Sequence, residues 1–128
     1  MANSITNYDL LERIGESRFG EVRKAKHKEL GLLRAIKIAS PEAANMLKKE
    51  GKLEAILRHP NIVEVYDSDL SADPPYIIME FLDGGSLKDK LTREKILPID
   101  EALNIAEQAL SGLFYAHSKN IIHQDIKP

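Results

Sequence analysis

Three charged residues have the type and spacing that phosphate chemistry requires. Lys37 lies in Ala35-Ile36-Lys37, where strand alternation puts Ala35 and Lys37 on one face, so the ammonium group projects beside small side chains. Asp125 and Lys127 lie two residues apart near the end of the sequence. An aspartate there can accept or orient a hydroxyl proton, and a neighbouring ammonium group can neutralise a phosphoryl group in transfer.

A glycine-bearing segment precedes Lys37 and could cover a polyphosphate. It reads Gly15-Glu16-Ser17-Arg18-Phe19-Gly20 and is followed by Glu21-Val22. A phosphate loop that opens a helix needs Lys and then Ser or Thr after its last glycine, and a dinucleotide fold needs a helix where residues 21–27 read as a strand. Two interpretations remain: an ordinary hairpin turn, or a hairpin whose backbone N–H groups lie over a polyphosphate.

A carboxylate partner for Lys37 is predicted on the helix that follows. Three apolar residues form a stripe along one face of that helix: Met46, Leu53 and Leu57. Glu50 lies inside the stripe, about 40° from Met46, and Glu54 lies at its edge, at about 80°. Because an unpaired buried charge is costly, a carboxylate in the stripe needs a cation. Lys37 is the candidate, with Glu50 as the predicted partner and Glu54 as the alternative.

The elements that position these residues are strands first and helices later. Strands are predicted at 8–15, 21–27, 32–39, 61–69 and 75–82, and helices at 42–58, 86–94 and 98–118. The last helix is apolar over well over half of its circumference, whereas a surface helix carries a stripe about 100° wide. We therefore expect it to have neighbours on several sides.

Composition excludes several classes of function. The 18 Lys and Arg residues nearly balance the 20 Asp and Glu residues, which argues against a nucleic-acid partner. The absence of cysteine excludes disulfides and Cys-ligated metal sites, and the four histidines lack metal-ligand spacing. No stretch resembles a signal peptide or a membrane span, so a cytoplasmic protein is expected.

The ordered set of motifs resembles the N-terminal half of a eukaryotic-type Ser/Thr protein kinase domain, from about residue 8 to residue 128. Gly15-x-Ser17-x-x-Gly20-x-Val22 resembles the glycine-rich loop, with Ser17 in place of the middle glycine. Ala35-Ile36-Lys37 resembles the strand lysine motif, and Glu50 falls nine residues before His59-Pro60-Asn61-Ile62-Val63, as the helix-C glutamate does.

The later motifs continue the resemblance. Met79 corresponds to the gatekeeper and Glu80-Phe81-Leu82 to the hinge, and His123-Gln124-Asp125-Ile126-Lys127-Pro128 resembles the start of the catalytic loop. The resemblance implies an α+β fold. Residues 1–82 would form a kinase N-lobe and hinge, with a five-stranded antiparallel sheet and helix C. Residues 83–128 would form the incomplete start of a C-lobe, with helices D and E.

The resemblance also implies ATP as the nucleotide and a role for each residue. Val22 and Ala35 would cover the adenine, and the hinge backbone at Glu80 and Leu82 would hydrogen-bond its edge. Lys37, held by Glu50, would bind the α- and β-phosphates. Asp125 would accept or orient the hydroxyl of a protein Ser or Thr, and Lys127 would stabilise the γ-phosphoryl group. The implied nucleotide-binding residues are Gly15, Ser17, Gly20, Val22, Ala35, Lys37, Met79, Glu80 and Leu82.

One departure from the family pattern concerns magnesium. The sequence contains neither the catalytic-loop asparagine nor the Asp-Phe-Gly motif that supply the protein ligands of magnesium, so no metal ligand is predicted in it. We therefore expect the 128-residue chain to lack catalysis of its own and phosphoryl transfer to belong to a longer parent. The alternative is a nucleotide-binding or protein-interaction module that self-associates or exchanges domains through helix 100–118.

Overall fold

A six-stranded antiparallel sheet dominates the computed structural model, which describes residues 4–5 and 7–121. The strands are β1 (Ser4–Ile5), β2 (Tyr8–Ser17), β3 (Gly20–His27), β4 (Leu33–Ala39), β5 (Val65–Asp69) and β6 (Tyr76–Glu80), in the order β1-β2-β3-β4-β6-β5. The helices are a short 3₁₀ turn (Pro41–Ala43), α1 (Ala44–Glu54), α2 (Leu87–Glu94) and α3 (Ile99–Ser118). The predicted α+β class is confirmed, and β1 is one strand more than expected.

The described residues divide into two compact units. The first comprises the described residues of Met1–Ile56 and Glu64–Phe81, and the second those of Leu57–Val63 and Leu82–Pro128. The first unit contains all six strands and α1, and the second contains α2 and α3.

The sheet of the first unit buries apolar side chains on both faces. One cluster forms against α1, and its buried members are Phe19, Ala39, Ala43, Leu47, Val65 and Ile77. The other is built on Ala25, Ile36 and Ile78. Ile36 and Ile77, on neighbouring central strands, are both fully buried, which fits the Ile and Val preference of buried strands.

Helix α1 is shorter than predicted, and its buried face is a different one. The predicted helix at 42–58 is a 3₁₀ turn followed by an α-helix that ends at Glu54. The predicted apolar stripe is wrong within α1, because Met46 is 39% exposed and Leu53 is 43% exposed, whereas its third member, Leu57, is buried beyond the end of the helix. Within α1, Leu47 and Gly51 are the buried residues.

In the second unit, α3 packs against residues 57–63. Residues 61–63 of this segment had been predicted as the start of a strand. The N–H of Arg58 donates to Tyr115 Oη at 3.3 Å, and Ser111 Oγ lies 3.3 Å from His59 Nε2. Gly112 permits this approach, because a Cβ there would lie 3.1 Å from the carbonyl oxygen of Asn61. The strand therefore begins only at Val65.

The predicted boundaries of α2 and α3 hold to within one residue. Ser86 caps α2, since its hydroxyl accepts from the N–H of Asp89 while the Asp89 carboxylate accepts from the N–H of Ser86. Pro98 precedes α3. None of the helices in the described part of the chain is long and apolar enough to cross a membrane.

Candidate functional site

The glycine-bearing segment is a tight hairpin between β2 and β3. Ser17 pairs with Gly20 across the ladder, so Arg18 and Phe19 form a two-residue turn. The hydroxyl of Ser17 accepts from the N–H of Phe19 at 3.2 Å, which is a side-chain contribution that a glycine could not make. Serine at this position therefore supports the turn.

Gly20 allows the hairpin to close onto the end of β4. Its φ is +151°, and a Cβ there would lie 2.7 Å from the backbone nitrogen of Ser40. The N–H of Ser40 donates to the carbonyl oxygen of Phe19 at 2.7 Å. A side chain at residue 20 would thus separate the turn from β4, whereas Gly15 has open space around it.

Phe19 turns inward from the hairpin. It is only 4% exposed and packs in the cluster that contains Leu47 of α1 and Ile77 of β6. The guanidinium carbon of Arg18 lies 5.1 Å from the centre of its ring, and Lys37 Nζ lies 5.2 Å from the same centre. Both cations are within the range of a cation–π contact.

Four of the predicted nucleotide-binding residues share the sheet face that α1 covers. Val22 pairs with Lys37, and Ala35 pairs with Met79, in antiparallel registers whose paired side chains point to the same side. Ala39, two residues after Lys37, packs in the cluster against α1. Strand alternation therefore brings Val22, Ala35, Lys37 and Met79 to one side of the sheet, with the hairpin turn at its end.

The ammonium group of Lys37 pairs with Glu54. Lys37 Nζ lies 3.6 Å from Glu54 Oε2, and the two side chains are 14% and 31% exposed. Glu50 instead accepts from Arg18 Nη2 at 2.8 Å. Among the described residues, the ion pair predicted between Lys37 and Glu50 is therefore replaced by the alternative with Glu54.

The position of the buried face of α1 explains this correction. Glu54 lies about 20° from the fully buried Leu47 around the helix, whereas Glu50 lies about 60° from it. The helix approaches the sheet closely at Gly51, where a Cβ would lie 2.9 Å from Ile77 Cδ1. Because Leu47 and Gly51 rather than Met46 or Leu53 face the sheet, α1 is rotated so that Glu54 faces Lys37.

Glu80 and Leu82, whose backbone was predicted to bond the adenine, fall in different units. In the first unit, the N–H of Glu80 donates to the carbonyl oxygen of Glu64 at 2.9 Å, so a ligand would find this N–H already bonded. In the second unit, Leu82 is exposed. Phe81, which lies between them in sequence, has Lys24 Nζ 5.1 Å from the centre of its ring.

Asp125 and Lys127, which were predicted to be catalytic, lie outside the described residues. Within residues 4–5 and 7–121, no group of three His, Cys, Asp or Glu side chains is arranged to hold a metal ion. The described part of the site is therefore a cation, Lys37, beneath a backbone hairpin and beside an apolar face. This combination suits a polyphosphate attached to a flat apolar group.

Sequence reasoning gave Glu54 only as an alternative and did not include Arg18 or Phe19 among the site residues. The helical wheel contained a signal for Glu54, because Gly51 marks a face on which the side chains of the sheet can approach the helix closely. For Phe19, the signal was an aromatic side chain in a turn of otherwise polar or small residues.

Comparison with known proteins identifies a family. The protein kinase domain family matches residues 8–128. CBL-interacting serine/threonine-protein kinase 9 of Arabidopsis thaliana is 33% identical over 97% of this chain and 29% of its own length. Calcium-dependent protein kinase 5 of Plasmodium falciparum is 37% identical over 91% of this chain and 21% of its own length.

A fungal relative extends the same match. The carbon catabolite-derepressing protein kinase of Candida albicans is 33% identical over 99% of this chain and 21% of its own length. The chain thus spans less than a third of the length of each of these relatives.

Proposed function

This chain belongs to the protein kinase family, and we propose that its first unit binds ATP as the nucleotide-binding part of a Ser/Thr protein kinase. The observation that carries the proposal is the gathering of Val22, Ala35, Lys37 and Met79 on one sheet face beneath the hairpin turn. The proposed Ser/Thr specificity follows the Arabidopsis relative, whose name states a serine/threonine-protein kinase.

Each part of the face has a role in this proposal. Val22 and Ala35 cover the adenine, Met79 lies at the back of its pocket, and the backbone carbonyl group of Glu80 bonds its edge, since the N–H of Glu80 is already bonded. Lys37 binds the α- and β-phosphates. The hairpin from Gly15 to Gly20 covers the phosphates, and the close approach at Gly20 supports a backbone cover without intervening side chains.

We propose that Asp125 orients the hydroxyl of a Ser or Thr in a protein substrate and that Lys127 neutralises the γ-phosphoryl group. Magnesium supplies charge neutralisation in this chemistry. We also propose that phosphoryl transfer belongs to a longer parent and that this chain alone does not catalyse it, because the sequence contains neither the catalytic-loop asparagine nor the Asp-Phe-Gly motif.

The organisation that accompanies this function is an N-lobe and hinge at 1–82 and the start of a C-lobe at 83–128. We also propose a cytoplasmic location. The absence of cysteine is compatible with a reducing compartment.

Calorimetric titration of magnesium-ATP into the chain tests nucleotide binding. We expect the wild-type chain to bind and Lys37→Met to lose binding, because the substitution removes the ammonium group that faces the phosphates. Lys52→Met is the matched control, since Lys52 is exposed on α1. An unchanged affinity in Lys37→Met, or no binding by the wild-type chain, would reject the proposal.

A protein-interaction module is the second candidate, and the outer face of α3 supports it. Four exposed apolar residues lie within an arc of about 60° on that helix: Ile99, Leu103, Leu110 and Phe114. An apolar stripe of this kind favours association with an apolar partner. We propose that it mediates self-association or domain exchange of the chain.

A further inference from the structure

Helix α1 separates its positive and negative side chains onto different faces. Its three lysines are exposed and lie within an arc of about 100° around the helix axis: Lys48, Lys49 and Lys52. Glu50, the nearer of its two glutamates, lies about 100° beyond Lys49. Both glutamates have cations within the chain, but the three lysines have no ion-pair partner among the described residues. The outer face of α1 therefore carries uncompensated positive charge.

Apolar side chains border these lysines. Met46 and Leu53 lie about 60° and 40° from Lys49 around the helix, and both are partly exposed. Ile56, just beyond the end of the helix, is also exposed. Neighbouring exposed apolar side chains are typical of a contact surface. The basic face, which consists of the three lysines with Met46 and Leu53, therefore suits a partner that is both acidic and apolar.

Helix α3 has the opposite charge. It contains three carboxylates and neither lysine nor arginine. Asp100 and Glu107 are exposed and have no ion-pair partner in the described part of the chain, whereas Glu101 pairs with Lys90. Glu107 lies about 20° and Asp100 about 40° beyond Phe114, at the edge of the exposed apolar stripe. The acidic face of α3 consists of that stripe with Asp100 and Glu107.

The two faces match in spacing as well as in charge. Met46 and Leu53 are seven residues apart on the basic face, and Leu103 and Leu110 are seven residues apart on the acidic face. Seven residues span about two helical turns, or about 10.5 Å, so the apolar side chains of the two helices can meet in pairs. Two acidic faces brought together would instead place carboxylates beside carboxylates, with no lysine or arginine of α3 to offset them.

We propose that the acidic face of α3 in one copy of the chain binds the basic face of α1 in a second copy. This pairing rests on the self-association through α3 proposed above, and it names the surface that receives the helix. Because the two faces differ, the contact is heterologous, and each assembly keeps one free face of each kind at its ends. Unless a ring closes, assembly therefore continues beyond the dimer as the concentration rises.

Cysteine cross-linking of mixed variants identifies the faces in contact. The chain contains no cysteine, so one introduced cysteine marks one site. In an oxidised mixture of Leu53→Cys and ¹⁵N-labelled Leu110→Cys, mass spectrometry should find mainly the disulfide that joins the two variants. Leu30→Cys, at an exposed leucine between β3 and β4, is the control and should not cross-link to Leu110→Cys above background. Cross-linking mainly of Leu110→Cys to itself would overturn the pairing, because two acidic faces would then be in contact.

Charge exchange measured by sedimentation equilibrium tests the ionic part of the contact. Glu107→Lys and Lys49→Glu should each raise the dissociation constant about ten-fold, because each brings like charges together. The double variant Lys49→Glu/Glu107→Lys exchanges the two charges and should regain most of the affinity. The controls Glu29→Lys and Lys28→Glu, at exposed positions between β3 and β4, should leave it unchanged. Circular dichroism verifies that each variant is folded.

Ionic strength provides a further comparison. Salt should weaken the association, because it screens exposed charges. Association that is insensitive to salt and to both single charge reversals would overturn the pairing and indicate domain exchange or contact between two α3 helices, while self-association itself would stand. A chain that remains a single 14.4 kDa species at every concentration would instead reject the proposed self-association, and the pairing with it.

Discussion

The close approach of α1 to the sheet at Gly51 makes a specific prediction for Gly51→Ala. In an ordinary helix interior this substitution stabilises by about 1 kcal/mol, because glycine is the poorer helix former. Here the new Cβ would lie 2.9 Å from Ile77 Cδ1 and 3.3 Å from Leu70 Cδ2. Ile77 is fully buried, so its side chain has little room to withdraw.

The balance of the two effects gives the expected sign. Overpacking a buried contact costs about 1–3 kcal/mol, which exceeds the gain in helix propensity. We therefore expect Gly51→Ala to lower the free energy of unfolding by about 1 kcal/mol. For a chain of 128 residues, the melting temperature should fall by about 4 °C.

A double-mutant cycle with Ile77→Val identifies the contact. The valine lacks the Cδ1 atom that the new methyl group would meet, and Ile77→Val alone should cost about 0.5–1.5 kcal/mol. In the double variant the new methyl group occupies the space that Cδ1 vacates. The loss of unfolding free energy should therefore be smaller than the sum of the two single-variant losses by about 0.5–1 kcal/mol.

Chemical denaturation followed by circular dichroism measures the cycle. Gly84→Ala is the control, because a Cβ at Gly84 meets nothing within 4 Å. The reasoning is refuted if Gly51→Ala stabilises the chain and its effect simply adds to that of Ile77→Val.

Further predictions concern pH and association. The backbone N–H of Ser86, and then its hydroxyl, lower the pKa of Asp89 below its ordinary value of 3.8. The hydrogen bonds of the cap should therefore stabilise α2 above pH 3.8, and this stabilisation should be lost as the pH falls through the lowered pKa of Asp89. Amide exchange in α2 measures the loss, and Ser86→Ala should weaken its dependence on pH. Hydrogen bonds to Glu101 and then Glu94 raise the pKa of Lys90 above 10.5. The stabilisation by these two hydrogen bonds should be present below pH 10.5 and lost as the pH rises through the raised pKa of Lys90. Alkaline unfolding measures this loss, and Glu101→Gln should remove more of the stabilisation than Glu94→Gln. In light scattering, the chain should show species larger than 14.4 kDa, whereas a single 14.4 kDa species would contradict self-association through α3.

Local signals in the sequence predicted most of the strands and the later helices. The hairpin between β2 and β3 follows from the glycine-bearing turn, and the cap formed by Ser86 and Asp89 explains why α2 begins within one residue of the predicted start. The face shared by Lys37 and Ala35 follows from strand alternation alone. These features depend on residues close together in sequence.

The buried face of α1 could not be predicted in the same way. A hydrophobic stripe indicates which side chains gain most from burial, but the sheet accepts Leu47 and the small Gly51 and leaves Met46 partly exposed. Close backbone packing depends on the shape of the opposing surface, which includes Ile77 and Leu70 from distant positions. For this reason the predicted partner of Lys37 was Glu50, whereas the partner in the structure is Glu54.

The start of the strand predicted at residue 61 also depends on residues that are distant in sequence. The Ile and Val residues at 62 and 63 suit a strand, but residues 57–63 belong to the second unit, where Asn61 Nδ2 donates to Gln108 at 3.1 Å. Tertiary packing against α3 therefore overrides the local strand preference.

The central claim is that Lys37 binds the phosphates of ATP, and affinity labelling tests it most directly. An ATP analogue with an acyl group on its terminal phosphate forms an amide with a lysine nitrogen that lies beside the phosphates, and the nucleotide leaves as the acyl–phosphate bond breaks. Peptide mass spectrometry should find the acyl group on Lys37, and excess ATP should prevent it. Labelling confined to exposed lysines such as Lys48 and Lys49, and insensitive to ATP, would contradict the account.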